Sequence, residues 1–412
     1  MRIAVVVESF PSVSETFITN QIIEFIKNGH EILIFSYHKG ETGILHENVI
    51  HYRLLERVQY LNNFTEEKYS SSLKFLLLLI RNSRKLNYSF LKELIFKVLK
   101  TKTGRLLLVE RLQWFILNSK IDIVHVHFGP IANRILEIKK FKSLVKLKIF
   151  TSFHGYDLRP DQIMMNKKRY KKLFKLGDGF IVNTKYLESI LKKVKGDLRR
   201  VQVIPVGLDT SVFQSKRKQR IHNTLLFCGR LVELKGPHLA IKITHLIKSK
   251  SFPINLTILG AGELEKDLRV LVDKLNLKNE VIFLGAKTQF DVVEQMSRNQ
   301  LFILPGIRDL GTNEAETQGL VIQEAQAMRM PVLVSNVGGM KYGLIEGETG
   351  FVLPENDLEA FSEVIIKLLS NPEKIEEMGK SGRDFVEKEY AISKIAKKHL
   401  VFFQDALLSH KN

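Results

Sequence analysis

The chain has 412 residues, 44% of them hydrophobic and 26% charged, which excludes a fibre or a disordered chain and indicates a globular protein with at least two domains. Its single cysteine, Cys228, excludes a disulfide framework and a multi-cysteine metal cluster, and it favours a reducing compartment. The net charge of +19 is uneven, because the first 200 residues carry 36 Lys and Arg against 18 Asp and Glu. This excess indicates an anionic partner for the N-terminal half, with solvated surface lysines as the alternative.

The N-terminal residues predict a strand–helix–strand unit of a parallel sheet. Residues 1–7 form an apolar strand that leaves no room for an export signal, so we expect a cytoplasmic protein. Apolar residues then recur at helical spacing over 17–26, and a second strand is predicted at 31–36. The longest apolar run, residues 75–80, is far shorter than the roughly 20 residues that cross a bilayer.

The stretch from 68 to 120 is helical in pattern and strongly basic, with 12 Lys and Arg against 2 Asp and Glu. A basic surface that lies on an anionic membrane and a plain buried helix pair explain this pattern about equally well. More strands of the first sheet are predicted at 121–126, 148–152, 179–183 and 202–204. The polar, basic residues 215–223 are the best linker, which places a domain boundary near 206–222.

Strands and helices alternate again beyond this linker. Five strands are predicted, at 224–228, 254–259, 281–284, 301–304 and 331–335, and residues 357–408 are predicted to be helical. The pattern predicts an α/β protein of two Rossmann-like, doubly wound domains, with a cleft between them as the preferred ligand site.

The first chemical signal is a glycine turn with two cations after the strand at 224–228. Gly229, Arg230 and Lys235 precede Pro237, which suits the first turn of a helix. Helix amides, a guanidinium fork and an ammonium form a phosphate site, and a diphosphate leaving group fits it. The Walker phosphate-binding pattern is absent.

Two further segments carry weaker signals. Gly260 and Gly262 form another turn from strand to helix, which packing alone explains slightly better than an approach to a nucleotide. Glu316 and Glu324 flank Gly319, and two separated carboxylates can accept hydrogen bonds from the hydroxyls of a sugar and of a ribose. Taken alone, these glutamates would be interpreted as ordinary exposed residues.

The order and spacing of these motifs resemble the family 4 retaining glycosyltransferases (glycosyl transferases group 1) of the GT-B fold. The resemblance is dense over 224–353 and thinner over 14–17, 125–129, 154–157 and 204–209. It implies an acceptor-binding domain at 1–210 and a nucleotide-sugar-binding domain at 222–385, facing a central cleft. It also implies a helical segment, 386–412, that packs back on the N-terminal domain.

The resemblance assigns roles to particular residues. Arg230 and Lys235 would neutralise the departing diphosphate without a metal, and the chain has no Asp-x-Asp triplet to hold one. Glu316 would bind a donor-sugar hydroxyl, Glu324 the ribose, and His154 would approach the sugar from the opposite domain. Amides near Gly338 and Gly339 would hold the sugar or phosphate. The implied donor contacts are Gly229, Gly260, Gly262, Gly319, Leu320 and Val321, and the implied acceptor contacts are Ser14, Glu15, Thr16, His127 and Asp157.

The implied activity is retaining transfer of a sugar from a nucleotide-sugar, a UDP-sugar in preference to GDP-mannose, to a cell-surface glycan or a lipid-linked acceptor. We expect no cofactor besides this co-substrate, no nucleic acid, and peripheral contact of the basic domain with the inner face of the plasma membrane. The alternatives are an inactive nucleotide-sugar-binding partner subunit and a basic nucleic-acid-binding protein. Departures from the family pattern at 11–14, Gln318 and 341–342 leave the phosphate loop and the sugar contacts open.

Overall fold

A computed structural model describes residues 1–12, 15–40, 47–61, 121–136, 139, 147–197, 199–214 and 220–408. The basic stretch 68–120, Ser14 and most of the linker at 215–223 lie outside these residues. Within the described part of the chain, no helix has the length and apolar character needed to cross a membrane.

The first sheet has seven strands, all parallel, in the order β3-β2-β1-β4-β5-β6-β7. The strands are β1 Arg2–Phe10, β2 Glu31–Lys39, β3 Val58–Tyr60, β4 Ile123–His127, β5 Lys148–Phe153, β6 Gly179–Val182 and β7 Val201–Val203. Strand β4 is buried along its whole length and β1 is buried from Ile3 to Val7, where it is a continuous apolar run. The three-residue edge strand β3 was not predicted, because so short a segment carries no periodic signal.

Helices connect these strands and cover the sheet. They are α1 Thr16–Lys27, α2 Glu47–His51, α3 Gly129–Ile135, α4 Ile163–Leu176 and α5 Lys185–Lys195. Helix α4 packs against both α3 and α5. Because parallel strands are joined by right-handed crossovers, the loops that follow the strands meet at one edge of the sheet, where a ligand site is expected.

The second sheet has six parallel strands in the order β10-β9-β8-β11-β12-β13. They are β8 Thr224–Cys228, β9 Asn255–Leu259, β10 Val281–Gly285, β11 Leu301–Leu304, β12 Val332–Ser335 and β13 Gly350–Leu353. The connecting helices are α6 Pro237–Ser249, α7 Glu265–Lys274, α8 Gln289–Arg298 and α9 Leu320–Ala327. The predicted count of five strands is wrong by one, because β13 begins with Gly350 directly after a turn and two of its four residues are only half-buried. The predicted α/β class with two Rossmann-like sheets is confirmed.

Three helices complete the chain: α10 Leu358–Leu369, α11 Pro372–Glu389 and α12 Ile392–Leu408. The boundary drawn at 385/386 falls inside α11, which packs on the second domain against α9 and α10. Helix α12 returns to the first domain, where Ile395 and Phe403 join its core. The chain passes between the domains twice, near Leu208 and near Tyr390. Two hydrogen bonds join these segments: Leu208 N donates to Tyr390 O, and Ile392 N donates to Leu208 O, both at 2.8 Å.

Candidate active site in the cleft between the domains

The turn after β8 carries two cations, of which Arg230 is exposed and Lys235 is paired with a carboxylate. Arg230 is exposed, and its side chain makes no hydrogen bond or ion pair with the described residues. Lys235 ends a short 3₁₀ turn and is followed by Gly236, whose φ of 67° suits glycine. A Cβ at Gly236 would lie 1.9 Å from the carbonyl oxygen of Pro305, so the close approach to the β11 loop also requires glycine here.

Lys235 is paired with Glu316 across the second domain. The Lys235 Nζ donates to Glu316 Oε2, and the two side chains are 15% and 18% exposed. Glu316 Oε1 also accepts from the backbone N–H of Gly319 at 3.0 Å. Burial raises the pKa of Glu316, but the Lys235 ammonium and these hydrogen bonds outweigh it and bring the pKa below its ordinary value. Glu316 is therefore an ionised carboxylate held in a fixed orientation.

Gly319 begins α9 in the left-handed conformation, with φ of 71°. The first amides of a helix have no intrahelical acceptor, so the N–H groups of Leu320 and Val321 are donors at the start of this helix. Glu324 lies one turn further along and lines a pocket of about 400 Å³ together with Thr16 and Asp209. Burial raises the pKa of Glu324 to about 7, against the opposing effect of Lys235. This carboxylate is thus costly to ionise without a ligand.

Two histidines meet where β4 and β5 of the first domain end. His127 Nδ1 and His154 Nε2 are 3.0 Å apart, and their rings are stacked with centroids 5.2 Å apart. Burial lowers the pKa of His154 to about 3, so both rings are neutral and one donates the shared hydrogen bond to the other. Their other nitrogens, His127 Nε2 and His154 Nδ1, are buried without a partner among the described residues. Both rings line a pocket of about 350 Å³.

Asp157, which was predicted to bind the acceptor, contacts its own loop in this structure. Its side chain is buried and accepts three backbone hydrogen bonds, from Gly129 at 2.9 Å and from His154 and Gly155 at 3.0 Å. Burial raises the pKa of Asp157, and these amides oppose the shift. Asp157 therefore fixes the loop that carries His154 against the start of α3.

Of the other predicted acceptor residues, Glu15 and Thr16 are described and Ser14 is not. Glu15 is half-buried at the start of α1, and burial, together with the nearby Glu8, raises its pKa. Thr16 is exposed and faces the pocket that Glu324 also lines. The start of α1 therefore lies opposite the donor residues of the second domain.

The glycine turns mainly bring backbones together. A Cβ at Gly260 would lie 1.8 Å from the carbonyl oxygen of Gly229, and one at Gly262 would lie 2.4 Å from that of Leu231. Packing between two loops thus accounts for both glycines without a nucleotide. Gly339 N donates to the carbonyl oxygen of Glu316 at 2.7 Å, so the prediction that this amide holds a sugar or phosphate is wrong. The turn supports the Glu316 loop instead.

Sequence reasoning missed Thr317, which joins the two domains. Its hydroxyl donates to the carbonyl oxygen of His154 at 3.2 Å, and its own carbonyl accepts from Thr184 Oγ1 at 2.9 Å. Gly155 lies against it, since a Cβ there would be 2.6 Å from Thr317 Cγ2. Nothing in the sequence marks contacts between residues so far apart in the chain.

Gln318, the noted departure from the family pattern, also joins the domains. Its amide accepts from Val206 N at 2.8 Å and donates to Val206 O at 3.0 Å, which ties α9 to the connection between domains. The side chain is buried against this connection. Together with the ion pair of Arg159 and Glu314, at 2.8 Å, these contacts close the cleft around Glu316. No group of three or more His, Cys, Asp or Glu in the described ranges is arranged to hold a metal ion.

Comparison with known proteins gives a consistent result for both domains. The family model described as "Glycosyl transferases group 1" matches residues 210–385, and that of "Glycosyltransferase Family 4" matches residues 92–212. The chain is 25% identical to the amylovoran biosynthesis glycosyltransferase AmsK of Erwinia amylovora, over 95% of this chain and 96% of AmsK. It is 26% identical to WcaL of Salmonella typhimurium, named for colanic acid biosynthesis, over 88% and 89% of the two chains.

Solved structures show the same fold at low sequence identity. The crystal structure of Anabaena HepE in complex with UDP superposes with a TM-score of 0.73 and 14% identity, over 98% of this chain and 100% of HepE.

Proposed function

We propose that this chain, which belongs to the family 4 glycosyltransferases of the GT-B fold, transfers a sugar from a nucleotide-sugar to a hydroxyl of a growing polysaccharide or its lipid-linked precursor. The observation that carries the proposal is the Lys235–Glu316 pair at the start of α9, with Arg230, which has no ion-pair partner in the described part of the chain, in the same turn as Lys235. The relatives named for amylovoran and colanic acid biosynthesis support the acceptor class.

The second domain is suited to hold the donor. Arg230 and Lys235 supply positive charge for a diphosphate, and the first amides of α9 supply directed hydrogen bonds. As the bond at the anomeric carbon breaks, negative charge grows on the leaving phosphate, and fixed donors stabilise it more than water does. Removing one such donor typically costs about 3–4 kcal/mol of transition-state stabilisation. No metal ion is required in this proposal.

The sugar lies between the domains in this proposal. Glu316 is ionised and oriented by Lys235 and Gly319, so it accepts a hydrogen bond from a sugar hydroxyl. His154 is neutral at physiological pH, so it acts as a hydrogen-bond partner of the sugar rather than as a cation. The Thr317 contacts hold the domains together and limit the access of water, which favours transfer over hydrolysis.

The reaction proceeds with retention of configuration in our proposal. The acceptor hydroxyl attacks from the face that the phosphate leaves, and its proton passes to the leaving phosphate oxygen. Retention needs no protein base, which agrees with the neutral His127–His154 pair and with the buried Asp157. A UDP-sugar is the preferred donor, supported by the UDP complex of the HepE structure, and GDP-mannose is the alternative. We place the enzyme at the inner face of the plasma membrane, where both substrates are available.

A donor-hydrolysis screen across UDP- and GDP-sugars tests the assignment, because a transferase without acceptor hydrolyses its own donor slowly. We expect one donor to be cleaved, and Glu316→Gln to lower that rate by about 100-fold or more. Glu314→Gln is the matched control, since Glu314 is the neighbouring carboxylate and pairs with Arg159 at the cleft rim. Equal rates for Glu316→Gln and wild type would show that the role of Glu316 is wrong.

Two further measurements test the mechanism once an acceptor is found. The proton NMR spectrum of the product gives its anomeric configuration, and an inverted product would contradict the front-face pathway. Activity should persist when EDTA is added, because cations of the protein neutralise the diphosphate. Loss of turnover in EDTA that Mg²⁺ restores would show instead that a metal carries this charge.

A further inference from the structure

Helix α4, Ile163–Leu176, carries a high density of positive charge on its outer face. Six of its 14 residues are basic, none is acidic, and all six are exposed: Lys167, Lys168, Arg169, Lys171, Lys172 and Lys175. The inner side of the helix holds Asn166, Tyr170 and Leu173, which are buried. The outer face therefore carries a cationic strip from Lys167 to Lys175, about 12 Å long given the rise of 1.5 Å per residue.

The five lysines of this strip lack partners among the described residues, whereas Arg169 contacts Met165 Sδ on its own helix. None of the five lysines of α4 forms an ion pair or a side-chain hydrogen bond there, although elsewhere helical cations pair one turn away, as Arg269 does with Glu265 and Arg298 with Glu294. Lys167 and Lys171 are instead one turn apart with like charge, which destabilises a helix. The strip is thus electrostatically unfavourable in the isolated protein, and an anionic surface would relieve the repulsion.

Apolar side chains accompany the cations at the end of α4 nearest the cleft. Met164 and Met165 in the first turn are 75% and 44% exposed. Helical periodicity places Met164 on the same outward line as Lys168 and Lys171. A surface with phosphates above an apolar phase matches this combination, whereas a nucleic acid or an acidic polysaccharide offers charge alone.

The helix begins close to the cleft. Arg159, four residues before α4, pairs with Glu314 of the second domain at 2.8 Å, so the first turn of α4 lies near the cleft rim. Helix α5 packs against α4 and adds the exposed Lys185, Lys192 and Lys193. A bilayer against this face would therefore bring a lipid-linked substrate to the entrance of the candidate active site.

We propose that the outer face of α4 is a docking surface for an anionic lipid bilayer. The lysines contact headgroup phosphates, and Met164 and Met165 enter the boundary between headgroups and acyl chains. The advantage for catalysis rests on the proposed lipid-linked acceptor, but the docking itself does not depend on it.

Co-sedimentation of the full chain with vesicles tests the docking surface without any donor or acceptor. We expect binding to vesicles of phosphatidylcholine mixed with phosphatidylglycerol, no binding to phosphatidylcholine alone, and weaker binding as the salt is raised above about 0.1 M. Each lysine near an anionic surface contributes roughly fivefold, so K167Q/K168Q/K171Q/K172Q should lower the partition coefficient by roughly 500-fold. The matched control K242Q/K266Q/K274Q/K287Q removes four exposed lysines of the second domain and should change it less than about twofold.

The methionines distinguish a bilayer from a polyanion. M164S/M165S should weaken vesicle binding by about tenfold and leave binding to heparin or transfer RNA unchanged. The proposal is overturned if the quadruple α4 variant binds anionic vesicles as the second-domain control does. It is also overturned if the methionine variant binds vesicles like wild type while the lysine variant loses RNA binding.

The same variants separate this inference from the proposed function. Donor hydrolysis is measured in solution, and the α4 variants should retain it, because none of these side chains belongs to the cleft residues. If wild type hydrolyses the donor but does not bind anionic vesicles, the docking surface alone is refuted. Hydrolysis that is absent from wild type refutes the proposed function alone. Any contribution of residues 68–120 to vesicle binding is the same in wild type and in all variants, so it cancels when their partition coefficients are compared.

Discussion

Glu324→Gln should stabilise the unliganded protein at alkaline pH, although Glu324 is assigned to donor binding. The pKa of Glu324 is raised to about 7 by burial, whereas an ordinary glutamate in the unfolded chain has a pKa of 4.5. The folded state thus binds a proton more tightly than the unfolded state does. The contribution of Glu324 to the free energy of unfolding is fully present below pH 4.5 and is lost as the pH rises through 7. A shift of about 2.5 units corresponds to about 3 kcal/mol above pH 8.

Glutamine removes this penalty because it keeps the shape of the protonated acid without a charge. The gain from Glu324→Gln should therefore be about 2–3 kcal/mol larger at pH 8 than at pH 5, where the wild-type carboxyl is already protonated in the fold. Urea unfolding followed by circular dichroism at the two pH values measures this difference. Equal effects at pH 8 and pH 5 would refute the electrostatic reasoning.

Glu316→Gln is the matched control and should behave in the opposite way. The pKa of Glu316 lies below its ordinary value, because Lys235 and two backbone amides outweigh the effect of burial. Stability from this group is present above pH 4.5 and is lost as the pH falls. The glutamine variant should therefore be less stable than wild type at pH 8, with a smaller loss near pH 4. If both variants are more stable than wild type at pH 8, or both are less stable, then Lys235 does not distinguish the two carboxylates.

Three other substitutions or conditions probe the described contacts. Burial lowers the pKa of His154 to about 3, that of His399 to about 4, and those of His125 and His127 well below the ordinary value, so the stability from this cluster is complete above pH 6.5 and falls below it by about 1.4 kcal/mol per pH unit for each histidine; His399→Gln should remove about a quarter of that slope in urea unfolding. Gln318→Ala removes both hydrogen bonds to the half-buried backbone of Val206 and should cost about 1–3 kcal/mol of unfolding free energy, and an unchanged urea midpoint would contradict this. Gly155→Ala places a Cβ 2.6 Å from Thr317 Cγ2 and should lower the rate of donor hydrolysis. Adding Thr317→Ser removes that methyl group and should restore part of the lost rate. No restoration would show that backbone strain at the φ of 125° causes the loss.

The sequence was sufficient to predict the repeating strands and helices of both sheets. Buried parallel strands such as β8 and β11 are almost wholly apolar runs followed by turns, and this pattern depends on local chain geometry alone. Short edge strands were missed, since β3 and β13 depend on pairing with a neighbour and not on their own composition. The boundary drawn at 385/386 lies inside α11, which is continuous from Pro372 to Glu389.

The candidate site was predictable where motifs have a local cause. Arg230 and Lys235 flank a turn whose form is set by neighbouring residues, and Glu316 precedes the glycine that begins α9. The role of Asp157 was not predictable, because the same carboxylate binds either a ligand or the backbone amides of its own loop, and only the fold decides. Thr317 was missed because its partners, His154 and Thr184, lie more than 130 residues away in the chain.

Several groups in this molecule are unfavourably placed or have no protein partner in the described residues, and each of them faces a surface where a ligand is proposed. Glu324 is buried with a raised pKa, Arg230 lacks an ion-pair partner among the described residues, and the α4 lysines repel one another. Natural sequences break local rules mainly where function requires it. Ribose hydroxyls, a diphosphate and anionic headgroups would relieve these three costs in turn. Each ligand should therefore raise the thermal midpoint of unfolding. UDP should raise it less in Arg230→Ala than in wild type, because the increase depends on how tightly the folded protein binds UDP.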